Sequence, residues 1–229
     1  MYIYYRGQQD NRRIDVSADE DSESPRSWGR FSHMVCAHNR YTLGDEQAQY
    51  INLYNNWGDW FEHEVVAKDG TWELPDDLPE NDDYTDEEYD EAYEQYRIGL
   101  VNEHMNDIAF LPLHLYDHSG ISMSWTDKTY PFCDKWDSGQ VGWIYVWKED
   151  WLKNGGQEEN WKELALNMLK TEVGEYNQWL EGDVFCITAF EDDEVVDSIC
   201  GIYADGEEEL ADAIVDYFGM GWVMELEAQ

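Results

Sequence analysis

"DVFCITAFEDDEVVDSICGIY", residues 183–203, is the stretch whose reading decides the fold. Two runs rich in β-branched and aromatic residues flank an acidic turn, Glu191 to Glu194, which is the pattern of a β-hairpin. Such a pair is antiparallel, so it sets the expected sheet type. Just before it, "NWKELALNMLKTEVGEYNQWL" places Trp161, Leu164, Ala165, Met168, Val173, Tyr176 and Leu180 at helical spacing, and the helix stops before Gly182. Just after it, a last helix is predicted from about Glu207 to Phe218, ending at Gly219. Further upstream, "AFLPLHLYDHSGISMSW" and "VGWIYVW" read as strands. Helices and hairpins in this order predict an α+β fold with a largely antiparallel sheet and several packed helices. The whole of 1–229 is expected to be one domain, with residues 73–105 as an acidic loop-and-helix elaboration.

The N-terminal third is less periodic. A first strand is predicted over residues 2–5, then a polar loop over 8–30 with Pro25 and Gly29 as breakers. Residues 33–41 read as a short strand or connector. Asp45 is expected to cap a helix running to about His63, with Ala48, Ile51 and Trp57 along one face.

A chain of 229 residues can bury a real core, and with 12 Trp and 16 Tyr it is no disordered acidic tail. Its charge balance is extreme: 14 Lys and Arg against 52 Asp and Glu, a formal net charge of −38. The charge is grouped. Residues 73–94 hold twelve acidic side chains and no basic one, and after Lys170 seventeen acidic residues follow with no Lys, Arg or His. Direct nucleic-acid binding requires a basic stripe, so it is not expected here. A basic partner is favoured instead, including a protein that itself binds nucleic acid. No apolar run approaches the roughly 18 residues that would span a membrane. The N-terminal "MYIYYRGQQD" lacks the basic and apolar regions of a secretory leader. Cys36, Cys133, Cys186 and Cys200 show no CxxC pair, so no disulfide framework is expected and a reducing cytoplasm is the default.

Within "ELPDDLPENDDYTDEEYDEAYEQYRIGL", Thr85 and Glu88 form a capping-box signature. Tyr89, Tyr93, Tyr96 and Leu100 then share one helical face, and Asp86, Asp90 and Glu94 repeat every four residues on another, beside Glu87 and Glu91. Like charges at this spacing oppose the helix by roughly 0.2–0.5 kcal/mol a pair. A local cost of this kind marks a binding surface or a merely solvated helix. The candidate partner-binding residues are therefore Asp76, Asp77, Asp82, Asp83, Asp86, Glu87, Asp90, Glu91 and Glu94, with Glu191, Asp192, Asp193 and Glu194 at the hairpin turn.

Two turns carry other chemistry. Asp117, His118 and Ser119 share one, and Cys133 to Gln140 form the second, where Asp137-Ser138-Gly139 reads as a turn with Gly139 free to take positive φ. Cys133, His118 and Asp137 are residue types suited to nucleophile, base and orienter, although this is not the GxSxG nucleophile motif. Cys36, His38, His118 and Cys133 are metal-ligating types without zinc-site spacing. The preferred reading is structural: rigid turns at a sheet end, with no catalytic residue, metal or cofactor.

The blocks "SPRSWGRFSHMVCAHNRYTLGDEQ", "LPLHLYDHSGISMS", "PFCDKWDSGQVGWIYV", "EVGEYNQWLEGDVF" and "VVDSICGIYADG" resemble, in the same order, those of a protein family encoded by bacteriophages and mobile elements. The resemblance covers most of the chain and carries over no catalytic residue. It implies action in the cytoplasm of a bacterial host during infection. Two function classes follow. One is a non-enzymatic anti-defence inhibitor, a nucleic-acid mimic directed at a basic host defence protein such as a CRISPR effector or restriction enzyme. The charge of −38 matches the phosphates of about 19 base pairs. The alternative is a small enzyme or ligand-binding protein using the turns at 117–119 and 133–140. The mimic needs carboxylates on an exposed face; the enzyme needs a pocket at those turns.

Overall fold

The computed structural model describes residues 3–53, 56–66, 85–126 and 137–229; at residues 86–90, 92, 93 and 97 it describes backbone alone. In chain order, β1 (Ile3–Gln9) and β2 (Arg12–Ala18) form a hairpin, followed by a 3-10 turn, Pro25–Ser27. Then come β3 (His33–Cys36), β4 (Glu46–Gln47), a 3-10 turn at Ile51–Leu53, and α1 (Trp57–Phe61), which runs on as a π-helical turn, Glu62–Val66. After them come α2 (Asp86–His104), β5 (Ile108–Asp117), β6 (Ile121–Trp125), β7 (Ser138–Trp147), α3 (Lys148–Lys153) and α4 (Trp161–Glu181). The chain closes with β8 (Val184–Glu191), β9 (Glu194–Tyr203), α5 (Glu207–Phe218) and β10 (Glu227–Ala228). The α+β expectation holds, with two sheets in place of one.

The first sheet has the order β10-β1-β2-β8-β9 and so joins the two ends of the chain; the second, β4-β3-β7-β5-β6, comes from the middle. All described pairings are antiparallel except that of β3 with β4. The period-2 alternation of strands divides the second sheet into two packed faces. Leu111, Leu113, Leu115, Ile144 and Val146 meet Ala165, Leu169, Val173 and Tyr176 of α4. On the opposite face Ile108 and Tyr145 meet Trp60, Phe61, Val65, Val66 and Val101. Phe61 is wedged 4.7 Å from Phe110 and 4.8 Å from Trp143, ring centre to ring centre. In the first sheet, Ile14, Val16, Ile187, Ala189 and Ile202 are covered by Leu210 and Ile214 of α5. Close strand packing explains Gly142: a Cβ there would lie 2.0 Å from the Val35 carbonyl oxygen.

The hairpin, α4 with its stop at Gly182 and α5 with its end at Gly219 stand as expected. A helix also begins directly after Thr85. Four expectations are corrected. The first strand extends to Gln9, and residues 12–18 of the expected polar loop are β2, because Arg6 and Arg13 neutralise Asp15 and let a charged strand lie between two others. Asp45 caps no helix; its carboxylate accepts from Met34 N and from Arg26, and strand β4 follows. Gly139 lies within β7 and is not among the positive-φ residues. Cys186 and Cys200 form a disulfide across β8 and β9, so the expectation of no disulfide fails where a hairpin brings both cysteines to one register.

The tie between the two sheets is polar. Arg26, in the turn after the first hairpin, has a side chain only 4% exposed. It donates to Glu172 Oε2 on α4 at 2.5 Å, to both oxygens of Asp45 at 3.1 Å, and to the Ser32 carbonyl at 2.8 Å. Ser32 Oγ also donates to Glu172, and Arg30 pairs with Glu175 one turn further along α4. Nearby, Trp179 Nε1 donates to the Ser22 carbonyl.

Removing one member of a buried pair strands the other, which costs about 3–5 kcal/mol. Arg26→Met is therefore expected to lose about that much stability in urea unfolding. Arg26→Met combined with Glu172→Leu should regain more than half of it. A single variant within about 1 kcal/mol of the wild type would show that the buried guanidinium is dispensable.

Candidate functional site

Asp76, Asp77, Asp82 and Asp83 lie outside the described residues. Asp86, Glu87 and Asp90 fall on the first turns of α2, whose backbone is described; Glu91 is exposed and Glu94 half-buried. At the hairpin turn, Asp192 and Asp193 both take left-handed backbone conformations, φ 53° and 63°, as a two-residue hairpin turn of type I′ demands. The turn is knitted to the neighbouring β1–β2 turn. Arg13 Nη1 donates to Asp193 at 2.6 Å, Arg12 Nε to Glu191 at 3.2 Å, and Asn11 Nδ2 to Asp192 at 3.1 Å. Glu194 is exposed. The predicted carboxylates at this turn are thus partly balanced by local cations.

The less balanced acidic surface of the described residues lies further on. In α5, Glu207, Glu208, Glu209, Asp212 and Asp216 are all exposed, while Leu210 and Ile214 face the sheet. The first-turn acids complement the helix dipole, and Glu209 accepts from Asp205 N at 2.7 Å; Asp212 and Asp216 lie beyond that help. Glu208, Asp212 and Asp216 form one line along the helix, about 6 Å apart in rise. Asp197, Asp205, Glu225 and Glu227 are exposed as well. The six arginines whose side chains are described are committed elsewhere: Arg6 and Arg13 to Asp15, Arg12 to Glu191, Arg26 to Asp45 and Glu172, Arg30 to Glu175, and Arg40 to Asp117. Among the described residues no ion pair reaches a carboxylate of α5. The signal for this surface was in the sequence, in the absence of any Lys, Arg or His after Lys170.

The turn at 117–119 meets the described part of the second, residues 137–140. A cleft of about 350 Å³ opens at the end of the second sheet, lined by His38, Arg40, Asp117, Asp137, Ser138 and Gln140, among others. The Asp117 carboxylate is held by the Arg40 guanidinium and by Tyr41 Oη at 3.2 Å. His118 Nδ1 lies 2.9 Å from Asp137 Oδ2, and Asp117 N donates to the Asp137 carbonyl at 2.8 Å. Ser119 takes φ 63° to close the β5–β6 turn. A bulge at Val141, where β7 loses register with β5, lies beside Gln140 in the cleft lining. Cys133 lies outside the described residues. Cys36 is fully buried, and burial pushes its thiol up to about 12, with Asp45 adding to the rise and Arg26 opposing it. It is therefore neither a nucleophile nor a ready metal ligand near neutral pH. Among the described residues Cys36, His38 and His118 do not converge as a metal-binding group.

No family model, no curated protein and no solved structure matches the chain.

Carboxylates without local cations repel one another, and salt screens that repulsion, with a Debye length of about 10 Å at 0.1 M. The melting temperature is thus expected to rise when NaCl is increased from about 20 to about 200 mM. A fall over that range would mean that attractive pairs dominate the surface.

Proposed function

We propose that the protein is a non-enzymatic inhibitor acting by charge mimicry. Its carboxylate surface occupies the basic DNA- or RNA-binding surface of a host nuclease, a CRISPR effector or restriction enzyme, in a phage-infected bacterial cell. The observation that carries this reading is the separation of charge. The described arginines hold the protein's own carboxylates, whereas α5 and the segments around it expose acids with no basic residue beyond Lys170. A net charge of −38 on a folded chain attracts a basic groove over long range and speeds encounter. It also repels nucleic acid, which would find no counterion-releasing basic stripe here. Among the described residues no helix is long and apolar enough to cross a membrane.

The cleft favours a second reading, a small enzyme or ligand-binding protein using the turns 117–119 and 133–140, in which Asp137 at the cleft wall and its partner His118 serve as a base. Retention from host lysate on the immobilised protein separates the two. The mimic retains a basic nucleic-acid-binding protein that is released by salt or by added duplex DNA, and His118→Ala leaves this unchanged. Loss of partner binding in a folded His118→Ala variant would favour the second reading.

The variant Glu208→Gln, Asp212→Asn, Asp216→Asn keeps shape while removing two like-charge pairs from α5. The free protein should melt slightly higher, since each such pair costs roughly 0.2–0.5 kcal/mol. Binding to the retained partner, measured by titration calorimetry, should weaken on the order of ten-fold and depend less steeply on salt. Unchanged affinity would mean that α5 is merely solvated.

A further inference from the structure

Away from the cleft, one group of ligand types does converge among the described residues: Asp19, Cys186 and Cys200, whose Oδ and Sγ atoms all lie within 4.8 Å of one another. The fold places them there deliberately at three levels. In the β8–β9 ladder Phe185 faces Ile202 and Ile187 faces Ile199, so Cys186 is opposed by the two residues Cys200 and Gly201. Gly201 takes φ +74° to make this bulge. The bulge turns Gly201 N toward Asp19, whose Oδ2 accepts from it at 3.0 Å. Asp19 is fixed from its other side as well: its own N–H donates to the Val184 carbonyl at 2.8 Å, and Oδ1 accepts from Asp21 N at 3.3 Å.

These backbone hydrogen bonds fix the carboxylate beside the sulfurs, and once the bond is reduced two thiols beside a fixed negative charge resist ionisation. A cation among the three groups removes that conflict. We propose that, once the Cys186–Cys200 bond is reduced, these two sulfurs and Asp19 form a site for a thiophilic divalent cation, Zn²⁺ in the cell. Two thiolates, one carboxylate and a water complete a tetrahedral zinc shell. The exposed Cys200 gives a reductant access, while Cys186 is only 7% exposed.

The chemistry balances with an external dithiol. One of its thiolates attacks Cys200 Sγ, breaking the Cys186–Cys200 bond and releasing the Cys186 thiolate. Its second thiol, as thiolate, displaces Cys200, so the dithiol ends as a disulfide and the protein as two thiols. Metal binding then releases the two thiol protons to solvent.

The test uses the full chain, reduced with a phosphine and titrated with Cd²⁺ while the ultraviolet thiolate-to-metal charge-transfer band is followed. The reduced protein should bind one Cd²⁺ with that band, and Zn²⁺ should displace it. The disulfide form and reduced Cys200→Ser should show no such band. Asp19→Asn should weaken binding on the order of ten-fold or more, since even groups behind the ligands cost 10–100-fold. Circular dichroism should show the fold intact after reduction. Absence of the band in the reduced protein, an equal band in Cys200→Ser, unchanged affinity in Asp19→Asn, or unfolding on reduction would each overturn the proposal.

Discussion

One buried guanidinium fastens the two halves of this protein. Arg26 lies in the turn that leaves the first sheet, and its partners are Asp45, in the loop ahead of β4, and Glu172, on α4. Burial alone would lower its pKa; Asp45 and then Glu172 outweigh that and hold it above its ordinary value. The charge is thus permanent and must be paired wherever it sits. The first sheet is made of both chain ends and the second of the middle. The Arg26 cluster holds the segment running from one to the other against the helix that returns. Tyr176, one turn from Glu172, accepts from Gly44 N at 2.9 Å and locks the same loop to the same helix.

This arrangement explains how a chain carrying −38 stays compact. Its few described arginines are used as internal connectors, at the Arg6–Asp15, Arg13–Asp193, Arg26–Glu172 and Arg30–Glu175 pairs, where each holds two segments together. Aromatic burial supplies cohesion away from them, as in the Phe61, Phe110 and Trp143 cluster and in the buried Tyr176. In the same region three tryptophan N–H groups donate to carbonyls: Trp57 to Gln140, Trp143 to Trp57 and Trp60 to Gln49. The remaining carboxylates are left to the surface. Cohesion thus does not rest on the acids of α5, which lie exposed while Leu210 and Ile214 on its inner face pack.

The sequence revealed what is periodic. The β8–β9 hairpin, α4, α5 and strands β5 to β7 were all legible, because each has a clear alternation or amphipathic face bounded by Gly or an acidic turn. What escaped has a physical reason each time. β2 looked like loop because Arg12, Arg13 and Asp15 interrupt Ile14 and Val16, and only the fold shows that Arg6 neutralises Asp15. Asp45 looked like a helix cap because carboxylates cap helices; here a distant Arg26 claims it. The cysteine pair was invisible without the β8–β9 register. The meeting of His118 with Asp137 depends on β5 lying beside β7, a pairing that local pattern does not specify. The acidity was legible throughout, but its balance was not: the acidic hairpin turn named as a candidate surface is tied to Arg12 and Arg13, whereas among the described residues no ion pair reaches α5.

Mimicry makes one demand that other acidic interaction proteins do not meet: the partner cannot hold this protein and nucleic acid together. The most direct measurement is fluorescence anisotropy of a labelled duplex bound to a purified nuclease of the target class, titrated with this protein at two salt concentrations. Charge mimicry predicts complete displacement of the duplex, competitive in form, with an inhibition constant that weakens as salt rises. A ternary complex of nuclease, duplex and this protein, or displacement indifferent to salt, would contradict it.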